Sequence, residues 1–462
     1  MSLSFFIIIY LLVTVIIGGF SGKLVKTSND FMLAGRKLPL ILCAPTMFST
    51  WYGSETIIGA SGEFLEKGLL GVMEDPFGTA LCFILIGLFI ARPIYKMNVV
   101  TIVDFYRIKF GKKFEFISAI LMILSYIGWI AAQFLAMAII MEVVLNLPLS
   151  TGLFFSSAIV CVYTMFGGMW SISLNDFLQT SVIIIGLVVL SFYVYFQVDD
   201  LSSLTAKTPP NFFTFFPENR WDDWCNYITA WMTIGLGSIP QQDVFQRIVS
   251  AKSEKVSIWS SYLASIMYLT IGILPLFLAL AYKLSTPALA DIPNSKLLLE
   301  AILLQEHTII KVLFIGALLS AIMSSASGAL LAPATILEEN LFKPIIPNIS
   351  DKTRLLLLRS SVLITAVFSG LYAMTSSNVY YLVAESSIIS LVSLFVPLLA
   401  GIYWNKACST GAMLSIILGP FTWLLCKHLG YETESALVGF LASGLGMIIG
   451  SSFKKDLQGS KQ

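Results

Sequence analysis

Apolar runs of about twenty residues alternate with short polar or charged breaks along the whole chain. A helix of that length crosses a hydrocarbon layer of roughly 30 Å. The pattern therefore predicts an all-α polytopic membrane protein with about thirteen spans, whose ends are uncertain by about four residues. The predicted spans are 4–21, 39–61, 76–95, 116–145, 151–168, 174–196, 225–241, 256–283, 308–337, 355–374, 379–403, 409–427 and 435–452.

Two of these spans contain residues that disfavour a helix. The second has Gly53 at what would be the bilayer midplane, and the seventh has Gly235, Gly237 and Pro240. Glycine lowers helix propensity and proline removes a backbone donor, so we expect both spans to unwind there. Unwound backbone at membrane depth is tolerated only where it lines a cavity or a ligand site. The alternative is that these residues only assist helix packing, as they often do in membranes.

The positions of the two breaks suggest an internal repeat. Counting from one broken span to the next gives five spans, and units with an odd number of spans are inverted relative to each other. We therefore expect two inverted five-helix repeats with a binding site between them. The predicted organisation is an extra N-terminal span and loop at 1–37, a first repeat at 38–199, an extracellular loop at 200–224, a second repeat at 225–404, and two C-terminal spans with a short tail at 405–462.

Composition supports the bilayer as solvent. Of the 462 residues 57% are hydrophobic and only 12% are charged, against about a quarter charged in soluble domains. The net charge of +1 offers no basic surface for nucleic acid. The first apolar run has no basic segment before it and no small-residue cleavage pattern after it, so we interpret it as a retained helix rather than a signal peptide.

The distribution of positive charge predicts the orientation. Of the 28 Lys and Arg residues, 21 fall in the alternate segments that follow the first, third and later odd-numbered spans. Cytoplasmic loops retain Lys and Arg. We therefore expect a protein of the inner (plasma) membrane with its N-terminus outside and its C-terminus in the cytoplasm.

Catalytic chemistry is not expected. The six cysteines have no C-x-x-C spacing, the two histidines lie far apart, and no nucleophile and base stand together in the sequence. These patterns exclude the usual zinc and redox sites. A membrane solute sensor is a less favoured alternative, because no signalling module follows the last span.

Several segments together resemble the sodium/solute symporter family over roughly residues 1–450. The signatures that carry the resemblance are Gly167–Gln179, Pro240–Arg247, Ala321–Ser325 and Ile336–Leu341. Within the family, residues 50–53, 88–94 and 245–248 are similar to high-affinity choline carriers, and other parts are similar to proline carriers. The resemblance implies a LeuT-like inverted repeat, Na⁺ as the coupling ion and a small organic solute.

A sodium site is expected on the ninth span. Ala321, Ser324 and Ser325 stand at i, i+3 and i+4, so one helical face presents a carbonyl and two hydroxyls. The resemblance adds the carbonyls of Ser49 and Tyr52, which completes a five-oxygen cage. The alternative is that both serines bond back to their own helix.

Asp176 is a further candidate for handling the ion. The resemblance implies that it is a way-station for sodium release. It equally suits a helix cap, because a carboxylate in the first turn of a helix is favourable.

Ionisable and aromatic residues suggest where the solute binds. Glu55 and Glu385 are carboxylates at membrane depth, which are functional candidates by default. Trp51 and Trp129 align with cage aromatics of the choline carriers, where a ring face attracts an ammonium. The remaining predicted solute-binding residues are Thr56, Gln133 and Gln241.

The chain departs from both carrier types. Gln241 and Thr79 stand where choline carriers have aromatics, Trp51 replaces an acidic residue of proline carriers, and Leu236 replaces a tyrosine. We therefore expect a sodium-coupled symporter that imports an amino acid such as proline, or a choline-like amine, by alternating access. The alternative is a proton-coupled carrier that uses Glu55. The identity of the solute and the oligomeric state stay open.

Overall fold

The computed structural model describes residues 3–198, 206–218, 220–289, 291–375 and 387–452. Within these ranges the regular structure is helical. The α-helices of six or more residues are α1 Leu3–Ser21, α2 Ser28–Leu33, α3 Leu40–Phe48, α4 Ala60–Lys67, α5 Thr79–Leu85, α6 Ala91–Met97, α7 Ile102–Phe110, α8 Lys112–Leu145, α9 Leu149–Tyr195, α10 Trp221–Gly235, α11 Gln242–Ser250, α12 Glu254–Ile271, α13 Leu274–Ser285, α14 Asn294–Leu303, α15 Thr308–Ile336, α16 Asp351–Ala373, α17 Val396–Tyr403, α18 Ser409–His428 and α19 Glu432–Ser452.

Nine helical segments of the described chain are long and apolar enough to cross a membrane. They are Leu3–Leu24, Glu55–Met97, Lys112–Leu145, Leu149–Tyr195, Glu254–Ser285, Thr308–Ile345, Asp351–Ala373, Ser409–His428 and Glu434–Ser452. The expected number of thirteen is not confirmed. One difference arises because the predicted spans 151–168 and 174–196 join in α9, where Gly168 alone leaves the helical conformation with φ 51° and ψ −136°.

The other differences arise where predicted spans are divided or only partly described. The predicted span 39–61 is split between α3 and the segment that begins at Glu55. The predicted span 225–241 is shortened to α10, and 379–403 is represented by the shorter apolar helix Ser387–Tyr403. An interrupted helix is shorter than a full membrane span, because the carbonyls and N–H groups at the break have no intrahelical partners and the helix ends there.

Helix α15 lies at the centre of the molecule. Every residue from Phe314 to Ile336 is buried, and the helix packs against α8, α9, α16 and α1. The broken helix α3 packs between α9 and α12, while α18 and α19 form a hairpin at the C-terminal end. The polar residues of α15 are therefore enclosed by other helices and must find their partners within the protein.

The outward faces of the helices are apolar. Leu12 on α1, Phe154 on α9 and Phe368 on α16 are 56%, 67% and 60% exposed. A soluble monomer rarely shows apolar patches of such extent. These faces fit contact with lipid chains.

One end of the helix bundle is held by a buried polar cluster. Thr101 caps α7 by accepting from the Asp104 N–H at 3.0 Å, and the Asn340 side chain donates to Asp104 and to Glu115 at 3.1 Å each. Arg107 pairs with Asp104 at 3.2 Å. The cluster ties the start of α7, the start of α8 and the chain after α15 together.

Candidate functional site

The first predicted break is a true interruption of the backbone. Helix α3 ends at Phe48, and the chain becomes helical again only with the π-helical turn Glu55–Gly59. Among the described residues no backbone N–H donates to the Ser49 carbonyl. The break therefore frees a carbonyl in the interior of the protein.

Two hydroxyls of α15 face that carbonyl. The Ser324 and Ser325 side-chain oxygens lie 3.2 and 3.3 Å from the Ser49 carbonyl oxygen. Neither hydroxyl bonds back to its own helix in these contacts, whereas Ser320 and Ser327 on the same helix do so. The structure thus places Ser49, Ser324 and Ser325 together and does not support the alternative of back-bonded serines.

Asp176 belongs to the same cluster. Ser324 donates to its Oδ1 at 2.6 Å. Because a hydroxyl has one proton, Ser324 cannot also donate to the Ser49 carbonyl at the same time. The helix-cap interpretation of Asp176 is wrong, because the residue lies two turns beyond Gly168 inside α9.

Further oxygens lie in this region. The hydroxyls of Thr46 and Ser49 interact with the Asp176 carboxylate, and all three residues are fully buried. Keeping a carboxylate away from water costs free energy. A small hard cation prefers such oxygen ligands, so the residues present fit a sodium ion.

The two other members of the predicted cage remain predictions. Ala321 is fully buried on α15. The Tyr52 hydroxyl donates to the Ile271 carbonyl at 3.3 Å, and its ring packs against Phe48 and Tyr268. These contacts involve the Tyr52 side chain, whereas the predicted ligand is its backbone carbonyl.

Glu55 lies just beyond the first break and folds back over Gly53. A Cβ atom at Gly53 would stand 2.6 and 2.9 Å from the two carboxylate oxygens, so glycine makes room for them. Gln133 donates to Oε2 at 2.9 Å, with Ser54 at 3.4 Å. The Oε1 atom is buried without a partner. The structure therefore brings the predicted residues Glu55 and Gln133 together.

Asp75 is a second carboxylate in this region, and the sequence analysis missed it. Thr56 donates to its Oδ2 at 2.5 Å, and Thr79 donates to its Oδ1 at 2.8 Å. The signal was an acidic residue directly before Pro76 at the start of an apolar run. The predicted residue Thr56 therefore donates to the carboxylate of Asp75, a residue that lies between two predicted spans.

The two predicted tryptophans form part of a row of rings. Trp51 stacks on Phe83 with centroids 5.0 Å apart and on Trp129 at 6.4 Å. The indole N–H of Trp51 donates to Asp243 at 3.1 Å, while that of Trp129 has no partner in the described structure. Tyr126 continues the row and also donates to Asp243, at 2.8 Å.

The second predicted break leads to Asp243, which contacts the ring row. Helix α10 ends at Gly235, residues 236–240 form turns, and α11 begins at Gln242. At Gly237 a Cβ atom would press on the carbonyls of Thr233 and Ser387. Asp243 is thereby aimed at Trp51, a role that the sequence analysis missed although the residue stood in a quoted signature.

The described contacts of Gln241 do not involve Glu55. Gln241 donates to Ser390 at 3.2 Å, and its Oε1 atom has no partner in the described structure. Glu385 lies outside the described residues.

A cavity of about 540 Å³ lies beside the loop that carries Asp75. Its wall includes Glu63, Lys67, Glu74, Glu218 and Asp223. Four of these five charged residues are acidic. The charged residues of its wall are therefore mainly negative.

Comparisons with known proteins agree with this architecture. The model of the sodium:solute symporter family matches residues 31–419. The high-affinity choline transporter 1 of Drosophila melanogaster is 26% identical, covering 88% of this chain and 68% of its own length. The osmoregulated proline transporter OpuE of Bacillus subtilis is 24% identical, and the match covers 97% of this chain and 94% of the length of OpuE.

A solved structure shares the fold. A Na⁺-coupled sialic acid symporter superimposes with a TM-score of 0.87 at 17% identity, covering 98% of each chain. This likeness supports the LeuT-like architecture expected from the sequence. The family and the relatives are transporters rather than enzymes. Because the family match spans well over half of the sequence, this chain belongs to the sodium:solute symporter family of multi-pass membrane transporters.

Proposed function

We propose that this symporter imports a small organic solute that carries a cationic nitrogen, and that one sodium ion binds at the first break. The candidate solutes are a choline-like ammonium, another amine, or an amino acid such as proline. The observation that carries the proposal is the meeting of the Ser49 carbonyl, the Ser324 and Ser325 hydroxyls and the Asp176 carboxylate at one buried point.

The oxygens at this point outnumber the protons that join them. The Ser324 and Ser325 hydroxyls lie against the Ser49 carbonyl and the Asp176 carboxylate, and the hydroxyls of Ser49 and Thr46 also interact with Asp176. A sodium ion relieves such crowding because it accepts lone pairs from several oxygens at once. The negative charge of Asp176 neutralises the ion, which lowers the cost of holding it away from water.

Sodium at this place acts on the conformation of the carrier. The Ser49 carbonyl belongs to the broken helix α3, whereas the serines belong to α15 and Asp176 to α9. An ion bound by all three favours the arrangement in which they are close, and that arrangement also fixes Trp51 and Glu55 a few residues after Ser49. Sodium and solute are then coupled through their shared preference for one state.

The driving force is sufficient for concentrative uptake. Entry of one charge at 100 mV releases about 2.3 kcal/mol, and a tenfold sodium gradient adds about 1.4 kcal/mol. Together they support accumulation of a neutral solute on the order of several hundredfold. A cationic solute gains further from the membrane potential.

The solute class follows from the residues after the break. Glu55 presents an unpaired carboxylate oxygen, and Trp51 and Trp129 present ring faces. Carboxylates and aromatic faces both attract ammonium groups. We place the N-terminus outside on the charge distribution of the loops, so the acidic cavity near Asp75 opens to the exterior.

The test is uptake into proteoliposomes that contain the purified protein. We expect accumulation of radiolabelled amines or amino acids only with an inward sodium gradient. Ser324→Ala with Ser325→Ala removes two ligands, so the sodium concentration for half-maximal uptake rises at least tenfold. Ser320→Ala, one turn away on α15, is the matched control and leaves that concentration unchanged.

Uptake that a pH gradient drives equally well without sodium would establish the proton-coupled alternative instead. Sodium dependence that survives the double serine variant would contradict the proposed ion site.

A further inference from the structure

Two carboxylates near the first break, the buried Glu55 and the partly exposed Asp75, have no basic partner in the described chain. Neither Glu55 nor Asp75 forms an ion pair with a Lys, Arg or His residue of the described chain. Asp176 and Asp243 differ, because the buried Arg247 interacts electrostatically with both of them. A buried carboxylate such as Glu55 is costly unless a cation joins it, and a second negative charge nearby adds to that cost.

Glu55 and Asp75 are close enough to interact with each other. The fully buried Tyr268 side chain lies in the field of both carboxylates, and its hydroxyl interacts with the Thr56 side chain. Glu55 is itself only 7% exposed, and its Oε1 atom is unpaired. An unpaired carboxylate oxygen of Glu55 therefore lies close to Asp75, because Thr56, the next residue in the chain, donates to Asp75 at 2.5 Å.

The charged pair adjoins apolar rings. Tyr268 contacts Phe83 with ring centroids 5.8 Å apart, and Phe83 stacks on Trp51. Contact with these rings does not stabilise a bound inorganic cation, whereas burying a hydrocarbon chain against them is favourable. The surroundings thus combine two negative ends with an apolar wall.

We propose that the solute is a small organic dication of the α,ω-diamine class, with one ammonium group at Glu55 and the other at Asp75. This inference rests on the proposed sodium-coupled uptake and names its solute. Each ammonium has three N–H donors. At Glu55 they meet the Oε1 atom and the neighbouring oxygens of Ser54 and Gln133, and at Asp75 they meet a carboxylate already oriented by Thr56 and Thr79.

The acidic cavity fits the same solute. Glu74 lies in its wall and directly precedes Asp75 in the chain. A cleft lined mainly by one sign of charge concentrates ligands of the opposite sign. The electrostatic attraction energy of a dication in that field is twice that of a monocation.

The first experiment compares solutes in proteoliposomes under one sodium gradient. The probes are putrescine, cadaverine, choline and proline. We expect a diamine to be taken up with the highest kcat/KM, and an excess of unlabelled diamine to inhibit the others.

Two variants separate the carboxylates. Asp75→Asn and Glu55→Gln each raise the KM for the diamine roughly 10- to 100-fold, because each removes one charge-assisted contact. Asp75→Asn lowers the preference for the diamine over choline, since one anionic anchor remains. Glu66→Gln removes an exposed acidic charge of α4 and leaves the KM unchanged.

Charge counting provides a second readout. Total charge moved per solute, minus sodium moved per solute, equals the charge of the solute. For the diamine we expect a difference of about two. A difference near one would show that a carboxylate exchanges a proton during transport and would overturn the proposal.

The outcomes distinguish this inference from the proposed function. Sodium-driven uptake of choline or proline with no diamine uptake or inhibition overturns the diamine assignment and leaves the symporter proposal intact. Equal diamine kinetics in wild type and Asp75→Asn likewise overturn it. No sodium-dependent uptake of any of the four probes would count against both.

Discussion

The Ser324 hydroxyl of the central helix α15 donates to the carboxylate of Asp176 on α9 across 2.6 Å, while the Ser49 carbonyl of the broken helix lies 3.2 Å from the same hydroxyl. Three helices that are distant in sequence thus meet at one oxygen atom. The affinity of a ligand that binds at this oxygen therefore depends on the relative position of the three helices.

Asp176→Asn tests the charge at this junction. The amide keeps an oxygen that accepts from Ser324 but removes the negative charge. We expect the half-maximal sodium concentration for uptake to rise roughly 10- to 100-fold, since interactions with a charged group contribute about 1.5–3 kcal/mol. Asn175→Ala, the neighbouring residue, is the control. An unchanged sodium dependence in Asp176→Asn would remove Asp176 from the ion site.

Gly53→Ala tests the close approach of the Glu55 carboxylate to the break. The added methyl group would lie 2.6 Å from one carboxylate oxygen and 3.0 Å from the Gln133 amide oxygen. We expect the KM for the solute to rise at least tenfold, because the carboxylate must leave its position. Gly444→Ala, where a methyl group meets nothing within 4 Å, provides the control. Wild-type kinetics in Gly53→Ala would show that the carboxylate position is unimportant.

Gly328→Ala tests the enclosure of Arg247. A methyl group at Gly328 would overlap the Arg247 guanidinium, which is fully buried. We expect a loss of about 1–3 kcal/mol in stability, seen as a lower melting temperature of the purified protein in detergent. In Arg247→Lys the shorter head group leaves space, so the same glycine change costs less there. Additive effects of the two substitutions would argue against the contact.

Asn340→Asp tests the polar cluster at the end of the bundle. The native amide donates to both Asp104 and Glu115, whereas the variant places a third carboxylate beside them. We expect a loss of roughly 1–3 kcal/mol in stability from the missing donors. Asn29→Asp, at an exposed position of α2, serves as control for added charge. An equal melting temperature for both variants would contradict the role of Asn340.

Trp51→Phe tests the link between the two breaks. The substitution keeps an aromatic ring next to Phe83 but removes the N–H that donates to Asp243. We expect slower solute uptake with little change in sodium affinity, because the lost contact joins α11 to the break and does not reach Ser324. A change confined to sodium affinity would place Trp51 at the ion site instead.

The positions of the breaks followed from residue types alone. Glycine and proline at matched places in two apolar runs lower helix stability wherever they occur, so unwinding near Gly53 and after Gly235 was predictable. The pair Ser324 and Ser325 was also identifiable, because one helical face repeats every three to four residues. The hydrogen bond between Gln133 and Glu55 was not predictable in this way, because it joins residues on different helices.

The sequence did not predict the contacts of residues whose partners lie on distant segments of the chain. Asp75 and Asp243 looked like residues at span boundaries, and only packing placed one beside Thr56 and the other beside Trp51. Asp176 suited both a helix cap and an ion ligand; its position inside α9 rules out the cap, and the ion role stays a prediction. Apolar periodicity determined by itself that the chain is a helical membrane protein, because hydrocarbon selects for apolar length. Which polar groups face one another was decided only by the tertiary structure, because in lipid each buried polar atom takes its partner from whichever helix packs against it.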